Sequence, residues 1–217
     1  GARGAARGRG VAIWFLNRAT SVPTGGLDGL LRTFGEHPDA GLVGAKLVYP
    51  DGRLQAAGGI VFNDASGWNY GRFYQPADPR YNHLRDVDYC SGAAIAVPTA
   101  LFRKLGGFDT RYAPAYYEDT DLAMQVRAAG LRVVYQPASV VVHFEGVTSG
   151  TDINSGVKAH QAINQRTFLA RWREELAAHP APGSDIRRAS EHRAHKRILV
   201  IDACTPMPDR DSGSLRM

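Results

Sequence analysis

The chain has 217 residues, of which 44% are hydrophobic and 22% are charged, and its formal net charge is +5 at pH 7. These values are typical of a globular domain with a sizeable core, and they exclude fibrous and low-complexity classes. The longest apolar runs, Val11–Leu16 and Val140–Val142, are far shorter than the ~20 residues of a membrane-spanning helix.

Hydrophobic periodicity and turn residues predict alternating strands and helices. The predicted strands or extended segments are Val11–Leu16, Gly41–Tyr49, Ala56–Phe62, Val87–Val97, Arg132–Tyr135 and Val140–His143. The predicted helices are Pro23–His37, Thr99–Lys104, Glu118–Ala129 and about 159–178. Residues 63–85 are rich in Asn, Gly, Pro and Tyr and are predicted to form a long loop. This order of elements predicts an α/β fold with a mixed sheet flanked by helices.

Two of the predicted helices have a clear apolar side. In the helix at 23–37 we expect the buried residues to be Leu27, Leu30, Leu31 and Phe34. In the helix at 159–178 we expect them to be Ile163, Phe168, Leu169, Trp172 and Leu176. Each side follows the period of 3.6 residues that an amphipathic helix needs.

The end of the chain predicts a division into domains. Residues 179–196 carry Pro, Arg and His and read as a linker, whose basic run lacks the interleaved aromatics of nucleic-acid-binding segments. Arg197–Asp202 has the pattern of a new buried strand, with 15 residues after it. We therefore expect one domain at 1–178, a linker at 179–196, and at 197–217 the start of a second, truncated domain.

An acidic cluster begins the helix predicted at 118. Glu118, Asp119 and Asp121 place three carboxylates within four residues. Acidic side chains stabilise the first turn of any helix, so the cluster needs no chemistry to explain it. A helix start also holds a carboxylate rigidly enough to accept a proton from a hydroxyl group. The pattern alone leaves both interpretations open.

Two further features have a structural and a functional interpretation. Ser91, Gly92 and Ala93 are small, which allows either a ligand or a packed helix to approach the backbone closely. Trp68 and four other aromatics crowd residues 63–85. They either line an acceptor groove, where sugar rings stack on aromatic faces, or pin the loop to the core.

The spacing of several motifs resembles the second half of family-2 glycosyltransferases. These motifs are Gly106-Gly107-Phe108-Asp109, Glu118-Asp119-x-Asp121-Leu122, Gly130 and Val142-His143. The resemblance covers about residues 4–178, and the phrases at 41–55 and 86–150 resemble a rhamnosyltransferase-like subgroup that builds bacterial surface polysaccharides. It implies a GT-A-like, Rossmann-related fold, here without the N-terminal strands that hold the nucleotide base. The tail at 197–217 looks like the start of a further Rossmann-like glycosyltransferase domain.

The resemblance also implies a reaction, the inverting transfer of a sugar from a nucleotide-sugar donor to a glycan acceptor. In that reaction Asp119 is the catalytic base and Glu118 its assisting neighbour. Asp121 is expected to be structural and bonded to nearby backbone. Ser91, Gly92 and Ala93 would border the donor sugar, and Trp68 and Asn17 would lie at the donor and acceptor sites.

A divalent cation, Mn²⁺ or Mg²⁺, is implied by the same resemblance, with His143 completing its site opposite the donor pyrophosphate. A lone histidine after a strand is otherwise a capping or surface residue. The subgroup usually has Asn-Asn-Asp-Thr where this chain has Asn17-Arg18-Ala19-Thr20. Ala19 offers no ligating atom, which puts the cation in doubt. Either Arg18 replaces part of its charge, or the site is inactive.

The implied partners are a nucleotide-sugar donor, a glycan or lipid-linked glycan acceptor and further domains of the parent chain, without nucleic acid. The expected location is cytoplasmic, with peripheral association at the inner face of the membrane. Cys90 and Cys204 lack metal-ligand spacing and favour a reducing compartment. One rival is a non-catalytic glycan- or partner-binding domain descended from such an enzyme. The other is a structural α/β module, in which Glu118, Asp119 and His143 would lie far apart.

Overall fold

The computed structural model describes residues 11–144, 159–194 and 196. Its strands are β1 (Ala12–Leu16), β2 (Thr20–Ser21), β3 (Ala40–Val48), β4 (Leu54–Ala56), β5 (Gly59–Val61), β6 (Gly67–Asn69), β7 (Arg85–Asp86), β8 (Ala94–Pro98) and β9 (Arg132–His143). Its helices are α1 (Gly26–Glu36), α2 (Thr99–Lys104), α3 (Glu118–Ala128), α4 (Ala159–Arg171), α5 (Arg173–Leu176) and α6 (Ile186–Ser190), with short 3₁₀ turns at Pro79–Tyr81 and Thr110–Tyr112. The expected N-terminal stub at 1–10 and the second domain at 197–217 lie outside the described residues.

One mixed sheet forms the centre of the fold, in the order β1-β8-β3-β9-β2, with β4 beside β3 and β7 beside β9. The prediction of an α/β fold with a mixed sheet flanked by helices is confirmed. Strands β3 and β9 are parallel, whereas β8 runs antiparallel to both β1 and β3. The carboxyl ends of β1, β3 and β9 therefore lie at one edge of the sheet, together with the start of β8. We call it the carboxyl edge.

Strand β3 is buried along its whole length, which explains its almost continuous apolar sequence. The charged residue in this sequence is Lys46, which is also buried at 5% exposure. Its ammonium donates to the carbonyl of Pro76 at 3.2 Å and to the side chain of Asn82. Burial lowers the pKa of Lys46. These bonds fix residues 76–82 against the sheet, and the Tyr135 hydroxyl adds a bond to the Tyr81 carbonyl at 2.9 Å.

The predicted long loop at 63–85 is wrong in one respect, because part of it is regular structure. Strand β6 pairs with β5 in a hairpin, and β7 pairs with β9. The buried Tyr70 and Tyr81 stack edge-to-face at 5.1 Å and belong to the main hydrophobic core. The aromatic residues of 63–85 thus divide into buried anchors, as in the interpretation that they pin the loop to the core, and an exposed set that includes Trp68.

Helix α1 buries only part of the predicted face, which includes Leu30 and the partly buried Phe34. Leu30 is fully buried, but Leu27 and Leu31 are 38% and 47% exposed. The helix rests on β9 through small residues: a Cβ on Gly29 would lie 3.2 Å from the backbone nitrogen of Ser139. This contact needs a close approach of the helix to β9, so Leu27 and Leu31 point away from it.

Strand β9 joins two segments that were predicted as separate strands, Arg132–Tyr135 and Val140–His143. Its pairing with β3 jumps from Ala45 opposite Gln136 to Lys46 opposite Val140. Pro137 lies inside this irregularity, and a proline has no N–H to give to a sheet. The bulge interrupts the apolar pattern without ending the strand.

The helix predicted at about 159–178 is divided into α4 and α5 at Trp172. Phe168, Trp172 and Leu176 are buried as predicted, whereas Ile163 is 50% exposed. Within the described ranges, every helix is too short or too polar to cross a lipid bilayer.

The segment after α5 packs onto the domain through one buried carboxylate, that of Asp88. This group accepts hydrogen bonds from the Arg193 guanidinium at 2.7 Å, from His192 at 2.9 Å and from the backbone nitrogen of Val61 at 2.9 Å. Burial alone would raise the pKa of Asp88, but the His192 bond and the Arg193 charge hold it well below its ordinary value. The carboxylate is therefore ionised and fully partnered.

We expect Asp88→Asn to lower the free energy of unfolding by about 2–4 kcal/mol, because Arg193 and His192 lose a buried anion. A carboxylate with a lowered pKa contributes stability above the unfolded value of about 3.9, and this contribution is lost as the pH falls through the folded value. Urea unfolding between neutral and acidic pH should thus show a smaller pH dependence in the variant. Asp86→Asn is the matched control, since Asp86 is 41% exposed in its pair with Arg132 and should cost less than about 1 kcal/mol. Equal losses of unfolding free energy in Asp88→Asn and Asp86→Asn would show that the buried contacts of Asp88 stabilise the fold no more than an exposed ion pair does.

Candidate active site

The segment that follows β1 connects the start of β8 to the end of β9. The backbone nitrogen of Asn17 donates to the carbonyl of Ala93 at 3.0 Å, and the carbonyl of Ala19 accepts from the backbone nitrogen of Phe144 at 2.8 Å. Thr20 pairs with His143 across the sheet. The Asn17 side chain accepts from the Ala19 backbone at 2.9 Å and closes a local turn. The structure thus brings Asn17, Ala93 and His143 together at the carboxyl edge.

Ser91, Gly92 and Ala93 form a turn before β8, so the prediction of a strand from Val87 was wrong at these positions. The backbone nitrogen of Ala94 donates to the Ser91 carbonyl at 3.2 Å. The backbone nitrogen of Gly92 donates instead to a carboxylate oxygen of Asp119 at 2.7 Å. Because the Gly92 N–H binds the Asp119 side chain, it is not used for pairing with a neighbouring strand, and the pairing of β8 with β1 begins only at Ala94.

Asp119 is held by three donors. Besides Gly92, its carboxylate accepts from the backbone nitrogen of Thr120 at 2.7 Å and from the Thr120 hydroxyl at 3.1 Å. A Cβ on Gly92 would lie 3.3 Å from the Cβ of Asp119, so only glycine allows this approach without a shift. The start of α3 and the turn before β8 are therefore in direct contact, and Asp119 has a fixed orientation.

Glu118 has the opposite environment. Its Oε2 is buried and has no hydrogen-bond partner among the described residues. Burial raises the pKa of Glu118, and the negative charge of Asp119 raises it further. Burial also raises the pKa of Asp119, but the N–H groups of Gly92 and Thr120 oppose that rise. When the two carboxylic acids titrate together, these donors place the first negative charge on Asp119 and keep the proton on Glu118.

A strained segment precedes the two carboxylates. Tyr116 and Tyr117 have φ angles of 75° and 73°, a left-handed conformation that costs bulky residues about 1–3 kcal/mol each. Asn164 of α4, 2% exposed, compensates by donating to three carbonyls, those of Tyr112 (2.9 Å), Ala115 (2.9 Å) and Tyr116 (3.0 Å). Nothing in the sequence pattern identified Asn164 or these tyrosines, because left-handed tyrosines have no local signature.

Asp121 is fully buried, and the expectation that it bonds to nearby backbone was wrong. Its carboxylate accepts from four side chains, those of Arg171 (2.8 Å), Trp172 (2.8 Å), Gln125 (2.7 Å) and Tyr112 (3.0 Å). Arg171 also binds Asp109 at 2.9 Å. The end of α4 thereby joins the Gly106–Asp109 motif to the first turn of α3, and Asp121 is a structural residue.

His143 lies at the carboxyl edge beside β4. Its Nδ1 is 2.9 Å from the side-chain oxygen of Gln55, which is 2% exposed. This contact between a buried amide and the imidazole holds the orientation of the ring.

A divalent cation does not fit the described residues at 17–19 and 143. Mn²⁺ and Mg²⁺ prefer oxygen ligands, but the Ala19 side chain has none, the Ala19 carbonyl accepts from Phe144, and the Asn17 side-chain oxygen already accepts from the Ala19 backbone. Within the part of the chain that the structure describes, only Asp88, His179 and His192 bring three possible ligands within 4.8 Å, and this group excludes His143. There His179 Nδ1 donates to the Val61 carbonyl and its Nε2 accepts from Arg193. Arg193 supplies the positive charge in that group.

Trp68 is 47% exposed on strand β6. The hairpin that carries it is tied to the turn before β8, because the Tyr89 hydroxyl donates to Asn69 at 3.0 Å. The place of Trp68 at the acceptor site stays a prediction.

We expect Asn164→Ala to lower the free energy of unfolding by about 2–3 kcal/mol, since it removes the bonds that offset the strain before Glu118. Amide hydrogen exchange at 113–118 should accelerate as well. Gln165→Ala is the control: it removes one exposed bond, to the Asp64 carbonyl, and should cost less than about 1 kcal/mol. Unchanged exchange at 113–118 in Asn164→Ala would show that Asn164 does not hold this segment.

Comparison with known proteins finds relatives of this chain, although no family model matches it. The chain is 32% identical over 148 residues to the N-acetylglucosaminyl-diphospho-decaprenol L-rhamnosyltransferase of Mycobacterium tuberculosis, covering 63% of this chain and 48% of that protein. It is 28% identical over 148 residues to the O-antigen biosynthesis protein RfbC of Myxococcus xanthus, covering 66% of this chain and 12% of that protein. The chain thus spans about half of the first relative and a small part of the second.

A solved structure supports the fold. The crystal structure of GalNAc-T7 with UDP, GalNAc and Mn²⁺ matches with a TM-score of 0.57 at 15% identity, over 88% of this chain and 39% of that one. The expected GT-A-like fold is confirmed. The chain is a homologue of bacterial rhamnosyltransferases and O-antigen biosynthesis glycosyltransferases, and its fold is that of the GT-A glycosyltransferases.

Proposed function

We propose that the protein catalyses the inverting transfer of a sugar from a nucleotide-sugar donor to a glycan acceptor during bacterial surface-polysaccharide synthesis. The observation that supports it most is the contact between Asp119 and Gly92 at 2.7 Å, which puts an oriented carboxylate at the carboxyl edge. The names of the two relatives support the substrate class. Following the name of the Mycobacterium protein, the acceptor is a glycan linked to a lipid diphosphate.

Asp119 acts as the general base in this proposal. An acceptor hydroxyl gives its proton to the Asp119 carboxylate while its oxygen forms a bond to the anomeric carbon. The bond from that carbon to the donor diphosphate breaks on the opposite face, and the nucleotide diphosphate leaves with the electron pair. The Gly92 and Thr120 donors orient the carboxylate, and the protonated Glu118 avoids a second negative charge beside it.

The leaving diphosphate needs positive charge nearby. In place of a cation bound by an aspartate, the segment after β1 offers an arginine, Arg18. No step is assigned to a protein-held cation, because the donor set at 17–19 and 143 does not fit one. Arg18 is exposed next to Asn17, and its guanidinium is suited to a diphosphate group. We assign it the role of stabilising the charge that develops on the leaving group.

Replacing Asp119 tests the base. Asp119→Asn should lower kcat by about 10²–10⁴, and it should also lower the unfolding midpoint, because a donor replaces one of the two oxygens that accept from Gly92 and Thr120. Release of nucleotide diphosphate from a panel of nucleotide sugars, measured with acceptor present, gives the rate. Turnover equal to that of the unchanged protein would remove Asp119 from the mechanism.

The pH dependence of kcat/KM provides a further test. A base must be ionised to act, and the raised pKa of Asp119 places the acidic limb above the ordinary aspartate value of about 3.9. Glu118→Gln should leave this limb in place, because Glu118 already holds a proton where Asp119 ionises. A limb that moves with Glu118→Gln would assign the titrating group to Glu118.

A non-catalytic binding domain is the second candidate, and Ala19 favours it because it lacks a metal ligand. Calorimetry with uridine or thymidine diphosphate, with and without Mn²⁺, separates the possibilities. We expect the unchanged protein to bind equally well in both conditions. Ala19→Asp should bind at least about tenfold tighter with Mn²⁺, since it adds an oxygen ligand, and Ala19→Asn serves as the uncharged control. Absence of nucleotide binding in every variant would support the binding domain.

A further inference from the structure

Two tyrosine hydroxyls tie the β5–β6 hairpin to the two segments that meet at Asp119. The Tyr89 hydroxyl donates to the side-chain oxygen of Asn69 at 3.0 Å, and the Tyr117 hydroxyl donates to the carbonyl of Ala65 at 2.9 Å. Asn69 ends β6, and Ala65 lies in the turn between β5 and β6. Both acceptors therefore belong to the hairpin, while both donors come from outside it.

The two donors lie on opposite sides of the contact between Gly92 and Asp119. Tyr89 is three residues before Gly92, on the segment that leads into the turn before β8. Tyr117 is two residues before Asp119 and directly before α3. The hairpin is thus bound to each half of the site separately, and it connects the turn to the helix start by a second route.

The ring of Tyr89 lies directly on the hairpin backbone, at a position that only glycine permits. A Cβ on Gly59 would lie 2.0 Å from Cε1 of Tyr89, and a Cβ on Gly67 would lie 3.3 Å from the Tyr89 hydroxyl oxygen. The backbone nitrogen of Gly59 also donates to the Tyr89 carbonyl at 2.8 Å. These contacts fix the ring and direct its hydroxyl to Asn69.

The bond from Tyr117 joins two strained positions. Tyr117 and Ala65 have φ angles of 73° and 67°, a left-handed conformation that persists in non-glycine residues only where surrounding contacts hold it. The Tyr117 ring packs on Phe168 of α4 with the ring centres 5.3 Å apart. Both tyrosines pack against the same hydrophobic cluster, which includes Val61 and Ala65 of the hairpin. The hydroxyl bonds are therefore part of a packed interface.

The hydroxyls can donate only while they carry their protons. Burial raises the pKa of Tyr89 and of Tyr117, and nearby negative charges, including that of Asp119, raise it further. Both phenols therefore keep their protons across neutral pH, where Asp119 acts as a base in the proposed reaction. Groups in this state do not take a proton from the acceptor, so their contribution is to position other groups.

Position decides the rate of such a transfer, because the acceptor hydroxyl must lie within hydrogen-bond reach of the base. The hairpin carries Trp68, 47% exposed, between its two attachment points. We propose that Tyr89 and Tyr117 are positioning residues, whose hydroxyls hold the β5–β6 hairpin where it aligns the acceptor glycan with Asp119. This inference rests on the proposed function, and it adds two residues that do not touch the reacting atoms.

The double variant Tyr89→Phe, Tyr117→Phe tests this role, since it keeps both rings and removes both hydroxyls. The acceptor is an N-acetylglucosaminyl-diphospho-polyprenol in detergent, and the donor is the nucleotide sugar with the highest turnover in the panel used for Asp119→Asn. kcat/KM for the acceptor should fall about 10- to 100-fold, because a displacement of about 1 Å at the reacting groups costs that much. Release of nucleotide diphosphate without acceptor, where water takes the sugar, should stay within about threefold.

Tyr135→Phe is the matched control, since it removes a hydroxyl that binds the Tyr81 carbonyl at 2.9 Å, away from the hairpin. It should lower the unfolding midpoint about as much as Tyr89→Phe or Tyr117→Phe alone, yet keep transfer and donor hydrolysis within about twofold. Each single hairpin variant should show part of the loss in transfer. Unchanged transfer in the double variant, or an equal fall of transfer and hydrolysis, would overturn the positioning role.

Binding of the same acceptor, followed by tryptophan fluorescence, separates this inference from the proposed reaction. If the unchanged protein binds the acceptor but transfers no sugar, the proposed function fails on its own. The positioning role then holds if the double variant binds at least about fivefold more weakly, as expected when hydrogen bonds that order a binding surface are lost. Equal binding by the two proteins, or no binding by the unchanged protein, would overturn it.

Discussion

The hydrogen bond from the Gly92 backbone to the Asp119 carboxylate connects the two halves of the carboxyl edge. On one side it fixes the turn before β8, which in turn holds Asn17 through the Ala93 carbonyl. On the other side it fixes the first turn of α3. The bond pairs a backbone donor with the Asp119 carboxylate oxygen that Thr120 does not bind, so each side helps to hold the other in this form.

The surroundings of that bond explain why, of the two neighbouring carboxylic acids, Asp119 carries the negative charge and Glu118 keeps its proton. Three donors stabilise the ionised form of Asp119, whereas Glu118 is buried with an oxygen that has no partner among the described residues. Helix α4 keeps this arrangement in place through Asn164, which binds the backbone before Glu118, and Arg171, which binds Asp121 within the acidic cluster. The chemistry proposed for two residues thus depends on a helix that does not contribute a reacting group.

The sequence predicted the elements that local pattern determines, and it missed those that depend on a distant partner. Helix α2 begins and ends at the predicted residues, because Pro98 and Gly106 mark its ends. The predicted burial of Leu27 and Leu31 in α1 was wrong, since the contact of this helix is set by a bulge more than a hundred residues later in the chain. The start of β8 was wrong because Asp119 takes an N–H from the turn. The resemblance singled out the acidic cluster, Asn17 and His143, whose roles stay predictions, whereas Asn164 and the left-handed tyrosines follow only from three-dimensional packing.

The attachment of residues 179–194 through Asp88 has a practical consequence for dividing the protein into autonomous pieces. Although this stretch reads as a connector, its histidines and arginine complete a buried electrostatic assembly with a residue near the middle of the chain. A proteolytic or engineered boundary at 178 would remove Arg193 and His192 from an ionised aspartate and leave it in an apolar interior. A boundary after 194 preserves these contacts of Asp88.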